Sequence, residues 1–274
     1  MPELPEVETI KRSLEKSLPG LVIEKADIFL PKIIKAPGPE EFCREVAGKT
    51  IRKVDRRGKY LLINLSDGLV LAVHLRMTGR LIYSGREAPV PRYTHLILHL
   101  DNGHQLYFAD MRQFGRLWLV PESGLPAISG LAGLGVEPLS PAFTPDYLAE
   151  KLRGRHTRLK PLLLDQRFIA GLGNIYADEA LHRAGLHPLR EAGSLSAAEV
   201  ETLYRVIREV LEEGIKCRGT TVRDYVDGTG RAGTFQNKLR VYGRSGLPCP
   251  RCGETITRIK TGGRSACFCP GCQK

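Results

Sequence analysis

The sequence predicts an α+β multidomain protein, in which an N-terminal β-sandwich with a leading helix precedes a helical domain and a short cysteine-rich finger. Three observations support this prediction. Apolar residues recur at helical spacing at the start, short apolar runs separated by turn residues follow, and five of the seven cysteines crowd the end of the chain. With 274 residues, 42% of them apolar, the chain has room for about two domains with buried cores.

The leading helix is predicted over residues 3–18. Pro5 suits its first turn, and Glu3 and Glu6 complement the positive end of the helix. Its apolar residues recur at spacings of three and four: Leu4, Val7, Ile10, Leu14 and Leu18.

Strands are predicted from short apolar runs in the next hundred residues. The turn sequences Ser66-Asp67-Gly68 and Asp101-Asn102-Gly103 separate two pairs of these runs, as in hairpins. The pattern is typical of a β-sandwich or barrel. The predicted strands are Tyr60–Leu65, Leu69–Leu75, Thr94–Leu100, Gln105–Ala109 and Leu117–Val120.

A glycine- and proline-rich stretch, with seven such residues between Pro121 and Pro138, predicts a linker before the helical part. Gly214 is expected to end the last helix. The predicted helices are Pro145–Leu152, Leu159–Asp165, Asn174–Arg183 and Ala197–Glu213. The resulting domains are 1–130, then 131–236 with its linker at 131–144, then the finger at 237–274.

The charge of the chain favours a polyanionic partner. The formal net charge is +11, and residues 216–274 alone hold 12 Lys or Arg against three acidic residues. Nucleic acid and an acidic membrane surface both fit this charge, and plain solubility is the alternative. No long apolar run and no apolar signal-peptide core are present, so we expect a cytoplasmic protein without a membrane span.

The cysteine spacing Cys249-x2-Cys252-x16-Cys269-x2-Cys272 predicts one structural zinc ion. Four thiolates leave no open coordination position, and Cys267 does not share the spacing. The arm between the two cysteine pairs carries Arg258, Lys260 and Arg264. Such a basic hairpin suits contact with DNA phosphates, and a solvated basic face is the alternative.

Two further features have competing interpretations. Gly171-Leu172-Gly173-Asn174 opens a predicted helix, where a phosphate can approach backbone N–H groups, although a tight interhelical turn has the same pattern. Pro2 is small enough for Met1 to be removed, which would expose a secondary amine beside Glu3. Such an amine is a nucleophile near neutral pH, whereas the alternative is a simple helix start.

The order of several motifs decides between these interpretations. They are MPELPEVET, Arg57-Gly58-Lys59, His74-Leu75-Arg76-Met77-Thr78-Gly79, Asp110-x-Arg112-x-Phe114-Gly115, Gly171-x-Gly173-Asn174-Ile175-Tyr176 and the four-cysteine finger. In this order the chain resembles the formamidopyrimidine-DNA glycosylases over essentially its whole length. One departure is Ala266-Cys267, where relatives usually have other residues before the third zinc ligand.

The resemblance implies a helix–two-turn–helix domain before the zinc finger, with damaged double-stranded DNA bound in the cleft and its target nucleotide flipped out. It also implies the catalytic set. Pro2 is the expected nucleophile at C1′, forming a Schiff base that leads to β,δ-elimination. Glu3 is the expected general acid/base and Glu6 a supporting carboxylate. The expected substrates are oxidised purines in DNA, namely 8-oxoguanine and formamidopyrimidines. We also expect a monomer associated with the bacterial nucleoid through DNA.

The resemblance further implies the DNA-binding residues. Lys59, Asn174 and Arg264 match phosphate-binding positions around the lesion, with Lys59 and Arg264 grouped with the catalytic set. Three residues match the wedge that fills the space left by the flipped nucleotide: Met77, Arg112 and Phe114. Three more are weaker candidates: His74, Arg223 in the glycine-rich loop, and Tyr242. A strand-end histidine satisfied within the fold is the alternative for His74.

Two other functions fit parts of the sequence. The endonuclease VIII branch shares Pro2, Glu3 and the finger but prefers oxidised pyrimidines and carries a different wedge. A non-catalytic DNA-binding protein with a zinc ribbon would need neither the Pro2 amine nor the two glutamates. The set Met77, Arg112 and Phe114 favours the purine branch.

Overall fold

The structure, a computed structural model, describes residues 1–222 and 224–274 and divides into two compact units. The first unit contains Met1–Ala132 and Cys217–Thr234, and the second contains Gly133–Lys216 and Phe235–Lys274. The glycine-rich loop after the last helix therefore groups with the N-terminal β-rich part. The mixed α and β architecture confirms the predicted fold class.

The first unit contains nine strands and three α-helices among its described residues. The helices are α1 Leu4–Leu14, α2 Pro39–Val46 and α3 Ser129–Ala132. The strands are β1 Ile23–Ile28, β2 Ile34–Ala36, β3 Ile51–Arg57, β4 Tyr60–Leu65, β5 Leu69–His74, β6 Gly79–Gly85, β7 Thr94–Leu100, β8 His104–Asp110 and β9 Arg116–Pro121.

These strands form two sheets that share one core. One sheet has the order β1-β7-β8-β6 and the other the order β2-β9-β5-β4-β3, with β2 and β9 parallel and the other neighbours antiparallel. Alternate residues of both sheets, such as Ile63 and Phe108, join Val7 and Ile10 of α1 in a single apolar cluster. Helix α1 is therefore anchored by burial of its apolar face.

The second unit is mainly helical and ends in a hairpin. Its helices are α4 Pro145–Leu152, α5 Leu159–Leu164, α6 Asn174–Ala184 and α7 Ala197–Lys216. Its strands are β10 Thr257–Thr261 and β11 Arg264–Phe268. No helix of the described residues has the length and apolar character needed to cross a membrane.

Helix α7 does not end at Gly214, so that prediction was wrong. A Cβ atom on Gly214 would lie 2.5 Å from Cε1 of Tyr176 on α6. The missing side chain thus permits close packing of α7 on α6, and the helix continues to Lys216. Helix α1 ends at Leu14, earlier than predicted, and strands β1, β2, β3 and β6 were not predicted.

Candidate functional site

The N-terminus of α1 places two carboxylates beside Pro2. Pro2, Glu3 and Glu6 are buried, whereas Met1 before them is 41% exposed. Glu3 is the N-cap residue, and the Glu3 N–H donates to Oε2 of Glu6 over 2.8 Å in a capping box. The residues preceding the helix are thus fixed by the helix itself, which places a carboxylate next to the Pro2 amine position.

Glu6 also holds the glycine-rich loop. Its Oε1 accepts a hydrogen bond from the Thr220 N–H over 2.7 Å, so each carboxylate oxygen binds a different backbone N–H. Gly219 has φ +81°, and a Cβ there would lie 2.9 Å from Glu6 Cγ. Only glycine fits this position without strain. The carboxylate of Glu6 therefore links the start of α1 to the loop.

Two more contacts attach this loop to α1. The Tyr225 hydroxyl donates to the Glu6 carbonyl oxygen over 3.2 Å, and the Gly228 N–H donates to Ser13 Oγ over 3.0 Å. Tyr225 is half-buried, and burial first and the Glu6 carboxylate second raise its pKa far above the usual range. The hydroxyl therefore stays protonated as a donor. Arg223 lies outside the described residues.

Lys59 lies in the turn between β3 and β4, which is tied to the same helix. The guanidinium of Arg56 donates to Glu8 Oε2 over 3.0 Å and to the Gly58 carbonyl oxygen over 3.0 Å. Burial raises the pKa of Glu8, but the hydrogen bonds from Arg56 and Arg12 outweigh it and lower the pKa below the ordinary value. Lys59 itself is only 6% exposed. Lys59 is thus enclosed by the fold and is not one more surface cation.

His74 is buried at the end of β5. Its Nδ1 accepts the Arg76 N–H over 3.0 Å, and its ring lies edge-on to Tyr60 with 4.5 Å between the centroids. Burial first, then the charges of Arg76 and Lys59, lower its pKa to about 3. A neutral ring that accepts at Nδ1 carries its proton on Nε2, so this hydrogen bond fixes the orientation of the ring and leaves Nε2–H as a donor.

Asp110 fastens the two turns that carry the predicted wedge. Its fully buried carboxylate accepts from the Thr78 hydroxyl, from the Arg112 N–H at 3.2 Å and from the Gly115 N–H at 2.7 Å. Met77 precedes Thr78 on one turn, and Arg112 and Phe114 lie on the other. The three predicted residues are therefore brought onto adjacent turns.

The wedge side chains project from these turns. Phe114 is 45% exposed, and the Arg112 guanidinium lies 4.8 Å from the centroid of its ring. Met77 is half-buried and Arg112 is exposed. An exposed aromatic ring beside a cation suits insertion between bases, since the ring supplies apolar volume and the guanidinium can donate to a base edge.

In the second unit, a buried ion pair supports Asn174. Lys160 is fully buried and pairs with Asp178 on α6, and its ammonium also donates to the Asn174 carbonyl oxygen over 3.3 Å. The Asn174 Oδ1 is buried without a hydrogen-bond partner in the described part of the chain. Asn174 is the first residue of α6, where backbone N–H groups point outward. The helix start is thus a suitable phosphate site.

The finger packs against α6 through two further carboxylate contacts. Asp178 Oδ2 accepts the Cys267 N–H over 3.1 Å. Glu179, fully buried, accepts the N–H groups of Arg240, Val241 and Tyr242 at 2.9–3.1 Å. Tyr242 is therefore placed by its backbone. These anchoring carboxylates were not predicted from the sequence.

The four predicted zinc ligands converge. The Sγ atoms of Cys249, Cys252, Cys269 and Cys272 lie within 4.8 Å of one another. Four sulfurs bound tetrahedrally at about 2.3 Å from zinc would be about 3.8 Å apart. The distances are 3.9 Å between Cys249 and Cys272 and 3.4 Å between Cys252 and Cys269. The cluster fits one structural zinc ion, as predicted.

Arg264 begins β11 at the tip of the finger hairpin. Strands β10 and β11 pair in antiparallel register, with Thr261 opposite Arg264, and Gly262 and Gly263 form the turn between them. The Arg264 side chain is exposed, whereas the following residues of β11 become buried. The hairpin therefore presents a cation on a strand that is anchored at its other end.

Three family models match consecutive parts of the chain. They are the formamidopyrimidine-DNA glycosylase N-terminal domain at residues 1–117, the formamidopyrimidine-DNA glycosylase H2TH domain at residues 134–226, and a zinc finger found in FPG and IleRS at residues 246–274. The models together cover most of the chain.

Individual proteins show the same similarity. The formamidopyrimidine-DNA glycosylase of Pelotomaculum thermopropionicum is 60% identical over 274 residues, covering 100% of this chain and 99% of the relative. Two complexes of the Lactococcus lactis protein cover 100% of both chains. One, with N7-benzyl-Fapy-dG DNA, has a TM-score of 0.92 at 39% identity, and the other, with oxidised-pyrimidine DNA, has 0.91 at 38%.

Proposed function

Because the chain belongs to the formamidopyrimidine-DNA glycosylase family, we propose that Pro2 is the nucleophile with which it removes oxidised purines from DNA. The protein is a DNA glycosylase of base excision repair, and its family typically combines base removal with AP lyase activity. The observation that carries the residue assignment is the buried capping box, in which Glu3 and Glu6 flank the start of the helix directly after Pro2.

The first step forms one bond and breaks another. After removal of Met1, the lone pair of the Pro2 nitrogen attacks C1′ of the damaged nucleotide, and the glycosidic bond breaks with its electron pair moving to the departing base. A proton reaches the leaving base, and Glu3 acts as the general acid/base at the sugar. The Pro2 nitrogen then loses its proton, and Glu3 protonates O4′ as the C1′–O4′ bond breaks, so the sugar ring opens and an iminium ion joins Pro2 to C1′.

The second step uses the iminium ion as an electron sink. Loss of a C2′ proton expels the 3′ phosphate, and a second elimination expels the 5′ phosphate. Water then hydrolyses the remaining iminium ion, which releases the sugar fragment as an aldehyde and regenerates the Pro2 amine. The buried Glu3 carboxylate is the nearest candidate to move these protons, because its place at the helix start is fixed.

The DNA contacts are divided between the two units. Lys59 in the first unit and Asn174 and Arg264 in the second are proposed phosphate contacts. Met77, Arg112 and Phe114 are proposed to fill the gap in the duplex. His74, Arg223 and Tyr242 remain predictions, and for His74 both a phosphate contact and a purely structural role stay open, since its hydrogen bond to Arg76 uses only Nδ1.

We further propose that the partner is double-stranded DNA with a damaged base and that the protein acts as a monomer in the cytoplasm, at the nucleoid. The basic finger supports DNA as the partner, since the exposed Arg258 and Arg264 of its hairpin are cations that can neutralise phosphates.

Parallel single-turnover excision tests this function. The substrates are duplexes with 8-oxoguanine opposite cytosine, with an oxidised pyrimidine, and without damage. We expect the purine lesion to be excised fastest and the undamaged duplex to stay intact. Preference for the pyrimidine would favour the endonuclease VIII branch, and binding without excision of either lesion would favour the non-catalytic alternative.

A further inference from the structure

His182 is a buried side chain that none of the roles above uses. It lies on α6 and is 0% exposed. Its Nε2 lies 3.4 Å from Sγ of Cys249, the first cysteine of the finger, and its Nδ1 has no hydrogen-bond partner among the described residues. A fully buried polar ring with a single polar neighbour indicates that this contact matters to the fold of the site.

The chemistry of the ligand fixes the direction of this hydrogen bond. A cysteine that binds zinc is a thiolate, so its sulfur has no proton to donate and can only accept a hydrogen bond. His182 must therefore carry its proton on Nε2 to make a favourable contact. In a neutral ring the unpartnered Nδ1 is then an acceptor and not a donor.

Helix α6 makes a second contact with the finger one turn earlier. Asp178 and His182 are four residues apart and lie on the same face of the helix. Asp178 accepts the Cys267 N–H from the hairpin, while His182 contacts the first cysteine pair. The two side chains thus contact the hairpin and the first cysteine pair of the finger from the same helix.

We propose that His182 is a positioning residue of the zinc site, whose Nε2–H donates a hydrogen bond to the Cys249 thiolate. The backbone N–H of Arg251 reaches the same sulfur over 3.4 Å, so Cys249 receives one donor from within its own turn and one from α6. The imidazole donor draws charge from the sulfur and holds it in the ligand position, which slows loss of the metal.

Two substitutions separate the hydrogen bond from packing. His182→Phe keeps an aromatic ring but removes the donor, whereas His182→Gln retains an N–H near the position of Nε2. We expect zinc affinity, measured by competition with a chromogenic chelator, to fall by roughly 10- to 100-fold in His182→Phe, as for other groups that orient metal ligands. His182→Gln should recover most of this loss. His187→Phe is the control, because His187 packs against Phe268 and accepts the Leu189 N–H.

Cobalt substitution gives a signature that a packing defect alone would not produce. Loss of an N–H donor raises the energy of the sulfur lone pairs, so the thiolate-to-cobalt charge-transfer bands of His182→Phe should move to longer wavelength, and those of His182→Gln should return. Unchanged affinity together with unchanged bands in His182→Phe would overturn the proposal.

The wild-type protein provides a test that needs no variant. In the zinc-loaded protein, long-range proton–nitrogen correlation of the His182 ring should show the proton on Nε2. A ring protonated on Nδ1 alone would contradict the proposal even if His182→Phe failed to fold. The inference depends on the zinc site and not on the excision chemistry, so its failure would leave the role of Pro2 untouched.

Discussion

Four apolar residues of α1, namely Leu4, Val7, Ile10 and Leu14, are at most 1% exposed, and this burial fixes the helix start that carries Glu3 and Glu6. The finger, in contrast, has only a small apolar cluster. It consists of Val241, Ile256, Cys267 and the zinc ligands Cys249 and Cys269. The first region is positioned by the core and the second by metal. The carboxylates proposed to transfer protons thus rest on packing, whereas the finger cations proposed to bind DNA rest on a fold that depends on zinc.

The largest effect is expected at the start of α1, where a substitution of Pro2 should reduce catalysis without weakening DNA binding. Pro2→Gly replaces the secondary amine by a primary amine and keeps a small residue before the helix. The glycine amine is still a nucleophile, but it lacks the pyrrolidine ring that fixes its geometry, so we expect single-turnover strand cleavage to fall by roughly 10³-fold while affinity for lesion DNA changes little. Lyase activity equal to that of the wild type would remove Pro2 from the mechanism.

The next largest effect is expected for Glu3→Gln. A glutamine retains an oxygen that can accept the Glu6 N–H of the capping box, so the helix should begin at the same residue. Proton transfer is lost, and base excision should fall by roughly 10²- to 10³-fold. Thermal unfolding checks that the fold is kept, and a well-folded variant with normal excision would rule out the proposed role.

Removal of zinc tests whether the finger depends on the metal for its fold and its affinity for DNA. Cys249→Ala should lose the metal, and DNA affinity should fall about tenfold or more, because loss of one charged hydrogen bond to phosphate costs about 1.5–3 kcal/mol. Cys267→Ala is the matched control, since Cys267 is buried beside the cluster but is not one of its four ligands. Elemental analysis should find no zinc in the first variant and one per chain in the second. Full metal content in Cys249→Ala would show that the ligand set is wrong.

Glu6 connects the core-held helix to the glycine-rich loop, and Glu6→Gln should weaken that connection. One carboxylate oxygen becomes an amide nitrogen facing a backbone N–H of Glu3 or Thr220. The lost hydrogen bond should lower the free energy of unfolding by about 1–3 kcal/mol. Hydrogen exchange at Thr220 should accelerate, and unchanged protection there would mean that the loop is held by its other contacts.

The smallest effect at neutral pH concerns His74. Its folded-state pKa of about 3 lies below the ordinary value of 6.5, so its stabilising contribution is complete above pH 6.5 and is lost as the pH falls toward 3. His74→Gln should therefore lose less stability than the wild type across this range, as measured by denaturant unfolding. Equal pH dependence would show that His74 is not buried as a neutral group.

The sequence predicted the parts of the fold and site that depend on local pattern. The zinc ligands follow from cysteine spacing, and the start of α1 follows from Pro5 and the two glutamates. Strand β3 was not predicted because five of its seven residues are charged and only Ile51 and Val54 are apolar, which weakens the apolar signal.

The remaining features depend on partners distant in sequence. Asp110 binds Thr78 from the neighbouring turn, and Glu6 binds Thr220 near the other end of the chain. His182 meets Cys249 only after the finger has folded onto α6. No periodicity or spacing encodes these pairs, because each residue taken alone resembles an ordinary surface or core residue.

The most direct test of the central claim is borohydride trapping on a duplex with 8-oxoguanine opposite cytosine, followed by mass spectrometry of the N-terminal peptide. Reduction converts the iminium ion into a stable amine. The account predicts a covalent DNA adduct on the nitrogen of Pro2, with Met1 absent. An adduct on a lysine, or no adduct while the lesion is excised, would contradict it.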